Sequence, residues 1–224
     1  ARAWESGCMF QVRVHGRGGQ GVVTAAELLS VAAFLDGRFA QAFPSFGSER
    51  KGAPVIAYCR ISDQAIRTRE PIAAPDALII QDPTLLRAEG PLLGAGEDAF
   101  VLLNTVKPWT ELDILGGLER FRPERVVNVP ATEIALAQVG RPIPNAALLG
   151  GFAALTGAVR FSAIVEAIRG RFPGAIGERN IAAASEARRL VNVALGKAEA
   201  ADEDAGEAAE GPQARAAKGV LSGA

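Results

Sequence analysis

Apolar and polar residues alternate from Phe10 to His15, which predicts a strand with one buried face. From Val22 to Leu35 the chain turns Ala- and Leu-rich, predicting a helix, with Gly37 just past its end as a stop. Arg38–Phe43 predicts a second strand and Pro54–Ile61 a third, separated by the Pro-, Gly- and Ser-rich loop Pro44–Gly52. Ala77–Ile80 and Ala99–Leu103 are short and wholly apolar, as expected of strands covered on both faces, and Arg125–Val129 predicts another. Asp82 and Pro83 open a helical turn over Thr84–Arg87, and Pro108 and Thr110 open a second. Further helices are predicted over Thr132–Val139, from an Asn145 cap to Gly157, over Ala163–Phe172 behind a Ser162 cap, and from Glu178 to Leu195. This alternation implies a single α/β domain, a Rossmann-like and mostly parallel sheet with helices on both faces.

Composition narrows the chemistry. Lys and Arg number 24 against 25 Asp and Glu, so bulk charge argues against nucleic acid as a partner. With 2 Cys and 1 His, the chain cannot supply the four thiolates of an iron–sulfur cluster or a multi-His metal site. A disulfide framework is not indicated, and Cys59, inside a strand, reads as a buried small hydrophobe. No long apolar run or signal-like start is present, so the expectation is a cytoplasmic chain with no membrane partner. Residues 1–9 read as an extension and 10–197 as the domain. Residues 198–224 carry six acids and two bases, a net of −4. Since the whole chain is −1, residues 1–197 hold about +3. The tail has no aromatic residue and reads as a disordered, solubilising segment, with an arm lying on a partner as the other reading.

Gly16, Gly18 and Gly21 spell G-x-G-x-x-G between a predicted strand and helix. Such glycines let a phosphate approach the backbone, and the helix start offers free N–H groups. Gln20 and Thr24 could add side-chain hydrogen bonds. A dinucleotide site also needs an acid at the end of the second strand. Asp36 has the right count but precedes that strand, which ends in Phe43-Pro-Ser45. Three readings stay open from spacing alone: NAD(P) or FAD, another phosphate-bearing ligand, and a glycine turn that packs helix on sheet.

The neighbouring residues sharpen this. Val12–Leu29, with its Gly-Arg-Gly-Gly-Gln-Gly core, resembles the gamma subunit of 2-oxoacid:ferredoxin oxidoreductases, the pyruvate:ferredoxin oxidoreductase type in particular. The block Gln41–Pro54 (Gln-Ala-Phe-Pro-Ser-Phe-Gly-Ser-Glu-Arg-Lys-Gly-Ala-Pro) is similar to that family's loop almost residue for residue. Asp82–Leu86 and Asn145–Gly151 match further segments, so the resemblance covers roughly residues 10–190. It implies a subunit of a complex with alpha, beta and ferredoxin-like delta subunits. Thiamine diphosphate, Mg and 4Fe-4S clusters would lie on those partners. Coenzyme A would be the acyl acceptor, and ferredoxin or an NAD-reducing flavin subunit the electron acceptor. The resemblance also implicates this domain in coenzyme A binding and in closing the site.

The loops after the first and second strands are expected to leave the carboxyl ends of adjacent strands, where α/β sheets bind ligands. Gly16, Arg17, Gly18, Gly19, Gln20, Gly21, Ser45, Ser48, Arg50 and Lys51 are the candidate coenzyme A or phosphate contacts, since guanidinium and ammonium groups pair with phosphate. The competing reading makes the second loop a docking element, with Phe43 and Phe46 as apolar anchors and Glu49 in interface ion pairs. No catalytic residue and no metal ligand is assigned. His15 reads as a strand-end residue hydrogen-bonded locally, and Asn145 as a helix cap with a ligand-facing amide as the alternative. Pyruvate is the expected acid, with arylglyoxylate and branched-chain 2-oxoacids as alternatives. A free-standing dinucleotide-binding oxidoreductase and a purely structural scaffold are the competing functions.

Overall fold

In the computed structural model, which describes residues 8–45, 52–87, 90–112 and 117–197, the alternating segment at the start becomes β1 (Phe10–Arg17). Val12 and Val14 are fully buried on one face, and Gln11, Arg13 and His15 lie on the other. The Ala-rich stretch is α1 (Val22–Leu35), within the bounds its pattern predicts. Asp36 ends it and Gly37 takes a left-handed φ of 77°. Then come β2 (Phe39–Pro44), β3 (Pro54–Ser62), β4 (Ala77–Ile80), β5 (Phe100–Asn104) and β6 (Val126–Val129). Short 3-10 turns at Pro83–Arg87, Gly90–Leu92, Trp109–Glu111 and Pro123–Arg125 lie between β4 and β6. The chain continues with α2 (Ala131–Val139), α3 (Asn145–Thr156), α4 (Phe161–Arg171) and α5 (Ala175–Ala194).

The six strands form one sheet in the order β2-β3-β1-β4-β5-β6. β1, β4, β5 and β6 are parallel neighbours, and β3 runs antiparallel between β1 and β2. The mostly parallel α/β sheet is as the sequence predicts. Helical structure lies on both faces, but unevenly. All five α-helices join one apolar cluster with Val12, Val14, Cys59, Ile79 and Leu102. The opposite face of β4–β6 is covered by the 3-10 turns and their loops, through Leu86, Leu92, Leu118 and Phe121. The connections among β4, β5 and β6 are too rich in Pro and Gly for longer helices.

α3 is the central helix, and every residue of it except Ala154 is buried. Gly150 lets α5 approach so closely that a Cβ there would collide with the Ala184 carbonyl. Two caps differ from expectation. Pro144 already holds helical angles (φ −77°, ψ −2°), so it takes the cap position and Asn145 becomes the first helical residue. Arg160, not Ser162, precedes α4, because its backbone N–H and Nε both donate to Asp36 at 2.6 Å.

Candidate functional site

The chain leaves β1 through α1 on the helical face, whereas the segments after β4 and β5 cross the other face. The carboxyl ends of β1 and β4 therefore form a topological switch point, the usual ligand crevice of an open α/β sheet. Gly16–Gly21 and Gln81–Thr84 meet there, joined by a hydrogen bond from the Gln81 N–H to the His15 carbonyl (2.7 Å).

Each outer glycine has a steric reason. A Cβ on Gly16 would stand 2.6 Å from Val22 Cγ2, so glycine lets α1 close onto the sheet. Gly21 takes φ 75° directly before α1, and a Cβ there would stand 2.7 Å from Asn145 Nδ2. Gly21 thus seats the start of α3 beside the start of α1. No side chain caps α1 among the described residues, so its first amides remain available for an anion.

The polar side chains of the loop are used inside the fold. Arg17 donates from Nε to Asp82 (2.9 Å), from Nη2 to the Thr84 hydroxyl (2.9 Å) and from Nη1 to the Gly52 carbonyl (3.2 Å). Gln20 accepts from the Arg17 N–H (2.7 Å) and donates to Asp82 (3.2 Å). Burial opposes ionisation of Asp82, but hydrogen bonds from Thr84, the Arg17 charge and the Gln20 amide outweigh it and hold the carboxyl below its ordinary range. Asp82 is the organising acid of this edge, whereas the sequence showed it only as a turn opener. Asn104 extends the network, donating to the Gln81 carbonyl and the Thr132 hydroxyl (both 2.8 Å) and accepting from the Thr132 N–H at the start of α2.

The two candidate loops do not leave adjacent strands, because β3 lies between β1 and β2. They meet all the same. β3 runs antiparallel to β1 and brings Gly52 and Ala53 back to the glycine loop. The Gly18 N–H donates to the Ala53 carbonyl (2.9 Å) and the Gly52 N–H to the Gly18 carbonyl (3.1 Å). At the other end of the segment, the Ser45 N–H donates to the Ile56 carbonyl (2.8 Å). Phe43 is half-buried, its ring 5.1 Å from that of Tyr58 with the Arg60 guanidinium 5.4 Å above it. Phe46, Ser48, Glu49, Arg50 and Lys51 lie outside the described residues.

Other singled-out residues take plain roles. Cys59 is fully buried, and burial pushes its thiol up, so it is un-ionised. His15 is 3% exposed, and burial together with the Arg13 charge lowers its pKa to about 3. Its Nε2 has no partner among the described residues, unlike the local hydrogen bond expected of it, because the apolar Ile56 and Ile80 flank it across the sheet. Trp109 packs against the apolar cluster under the 3-10 turns. Asp36, the one acid spaced for a dinucleotide ribose, is paired with Arg160 at the far end of α1, about 20 Å of helix from the glycine loop.

Known proteins share this arrangement. The model of the pyruvate ferredoxin/flavodoxin oxidoreductase family matches residues 11–190. The pyruvate/ketoisovalerate oxidoreductases common subunit gamma of Pyrococcus furiosus is 46% identical over 185 residues, 83% of this chain and 98% of that one. The pyruvate synthase subunit PorC of Methanothermobacter marburgensis is 44% identical, over 79% of this chain and 94% of its own length. Among solved structures, pyruvate oxidoreductase subunit PORC of Thermotoga maritima superposes with a TM-score of 0.68 at 34% identity, covering 81% of this chain and 96% of that one.

Proposed function

The chain belongs to the pyruvate ferredoxin/flavodoxin oxidoreductase family, and from that premise we propose that it works as the gamma subunit of a complex that oxidatively decarboxylates pyruvate. In the net reaction the 2-oxoacid and coenzyme A give acyl-coenzyme A, carbon dioxide and a proton, and two electrons pass to ferredoxin. Thiamine diphosphate, with Mg, supplies the carbanion chemistry, and 4Fe-4S clusters carry the electrons. We place these groups on alpha, beta and delta partners, because 2 Cys and 1 His cannot furnish a cluster.

This chain's own share is the switch-point edge. The observation that carries the reading is the uncapped start of α1 at Gly21, beside the start of α3 and next to the backbone-paired Gly18 and Gly52. Uncapped helix amides suit the phosphates of coenzyme A. Arg17 and Gln20 act on that ligand at one remove, by fixing the loop against Asp82. Arg50 and Lys51 complete the positive side of the edge in this reading.

A docking role for the second loop has its own support, since the loop's described neighbours already satisfy one another. One experiment separates the two. In the assembled complex, Arg50→Ala with Lys51→Ala raises the Michaelis constant for coenzyme A about tenfold or more if these residues touch the ligand. An unchanged Michaelis constant with failed assembly assigns the loop to docking. Purification of a colourless complex lacking thiamine and iron would sink the functional reading altogether. The burial of Asp36 against Arg160 speaks against a free-standing dinucleotide enzyme.

A further inference from the structure

On the helical side of the glycine loop lies a cleft of about 390 Å³, within the size range of small-ligand sites. Gly19, Gly21 and Thr24 form one wall, Arg141, Ile143 and Asn145 a second, and Arg171, Arg179 and Asn180 a third. Three guanidinium groups thus converge from segments far apart in sequence, and no Asp or Glu lines the cleft among the described residues. The acid beside Arg179, Glu178, is already paired with Arg169 at 3.0 Å. Arg171 lies 5.4 Å from the Phe172 ring, and no partner is recorded for Arg141 or Arg179 among the described residues.

Two asparagines make this a built site rather than a patch of surface charge. Asn145 is 3% exposed, and its Oδ1 accepts from the Ala146 N–H (2.8 Å). That leaves Nδ2, held against Gly21, as a donor with no partner among the described residues. Asn180 is 6% exposed and donates from Nδ2 to the Ile176 carbonyl (2.8 Å). The cleft also borders the uncapped start of α1. Arginines in a fork geometry, a fixed amide donor and a helix N-terminus are the elements that bind phosphate.

We propose that the cleft walled by Arg141, Arg171, Arg179 and Asn145 grips the phosphate groups of a phosphorylated nucleotide. The three guanidiniums match more than one phosphate, since a phosphomonoester alone carries close to two negative charges. This deepens the coenzyme A reading and rests on it for the ligand's identity, while the phosphate chemistry rests on the cleft itself.

The test uses the full chain and titration calorimetry with adenosine 3′,5′-bisphosphate and with pyrophosphate. Arg141→Gln with Arg179→Gln should weaken both by about tenfold or more, and Arg141→Lys with Arg179→Lys should restore part of the loss. Both arginines are exposed, so circular dichroism should report an intact fold. A control that removes equal charge elsewhere, Arg122→Gln with Arg189→Gln, should change binding less than twofold. Equal weakening in that control, binding unchanged in the first variant, or no binding to the unaltered chain overturns the proposal. If the arginine dependence holds but coenzyme A does not displace the bisphosphate, the cleft stands and the coenzyme A reading falls.

Discussion

On the sheet face turned away from the α-helices, β4, β5 and β6 present Leu78, Ile80, Val101, Leu103 and Val126, whereas β1, β2 and β3 present Gln11, Arg13, His15, Gln41, Tyr58 and Arg60. The register is continuous, so these are two halves of one surface. The dry half packs on Leu86, Leu92, Leu118 and Phe121. The wet half is buried by irregular chain, and guanidiniums hold that chain by its carbonyls. Arg13 donates to Ile72, Pro91 and Leu93, and Arg60 to Glu70. Some capacity is left over: Arg13 Nε, Arg60 Nη1, His15 Nε2 and Gln41 Oε1 are buried without partners among the described residues. Burial therefore serves different ends in the two halves. One half contributes apolar stabilisation, and the other holds polar groups in fixed places behind the ligand edge.

Breaking the dry half should have the largest effect. Leu103→Ala leaves a cavity at a fully buried site and should destabilise the fold by about 3 to 4 kcal/mol in urea denaturation. A loss under 1 kcal/mol would mean that this half is loosely packed. In the wet half, Arg13→Met keeps the side-chain length but leaves three carbonyls without their donor, and should cost about 2 to 3 kcal/mol. A neutral outcome would show that water replaces the guanidinium.

His15 gives the next effect, and it depends on pH. The native imidazole stays neutral down to about pH 3, while the unfolded chain takes up a proton below the ordinary value of 6.5. The unfolded state then binds more protons, so stability falls as pH drops from 6.5 towards 3. Between pH 7 and pH 5 this contributes about 2 kcal/mol, at roughly 1.4 kcal/mol per pH unit below 6.5. The loss between those pH values should be smaller by that amount in His15→Asn, and identical profiles would refute the assignment. The smallest effect belongs to Arg60 over the Phe43 ring. A double-mutant cycle with Arg60→Met and Phe43→Leu should give about 0.5 to 1 kcal/mol of coupling.

The sequence and the structure part company along similar lines. α1 and β4 match their predicted bounds, because an Ala-rich helix and a four-residue apolar strand carry strong local patterns. The place of β3 was not legible. Alternation along Pro54–Ile61 announces a strand but says nothing of its neighbours, so the two candidate loops were assigned to adjacent strands. The two misplaced caps have a similar origin. Asn145 and Ser162 are good capping residues by type, but Pro144 and the contact of Arg160 with the distant Asp36 decide where those helices begin. At the candidate site the glycines were legible, because positive φ and close approach leave a mark in the sequence. Asp82 as the organiser of Arg17 and Gln20, and the meeting of Arg141, Arg171 and Arg179, were not. These depend on contacts across tens of residues that no local spacing encodes.

The segment between Ser45 and Gly52 is fastened at both ends to one edge of the sheet, by the bonds from Ser45 to Ile56 and from Gly52 to Gly18. Such a segment can be exchanged as a cassette. Doubling the length of a flexible loop adds only about 0.6 kcal/mol of closure entropy, and neither anchor depends on a side chain inside the segment. A related chain could carry a longer or differently charged insert at this position without shifting the register of β1, β2 or β3. The same scaffold could in this way be fitted to different assemblies.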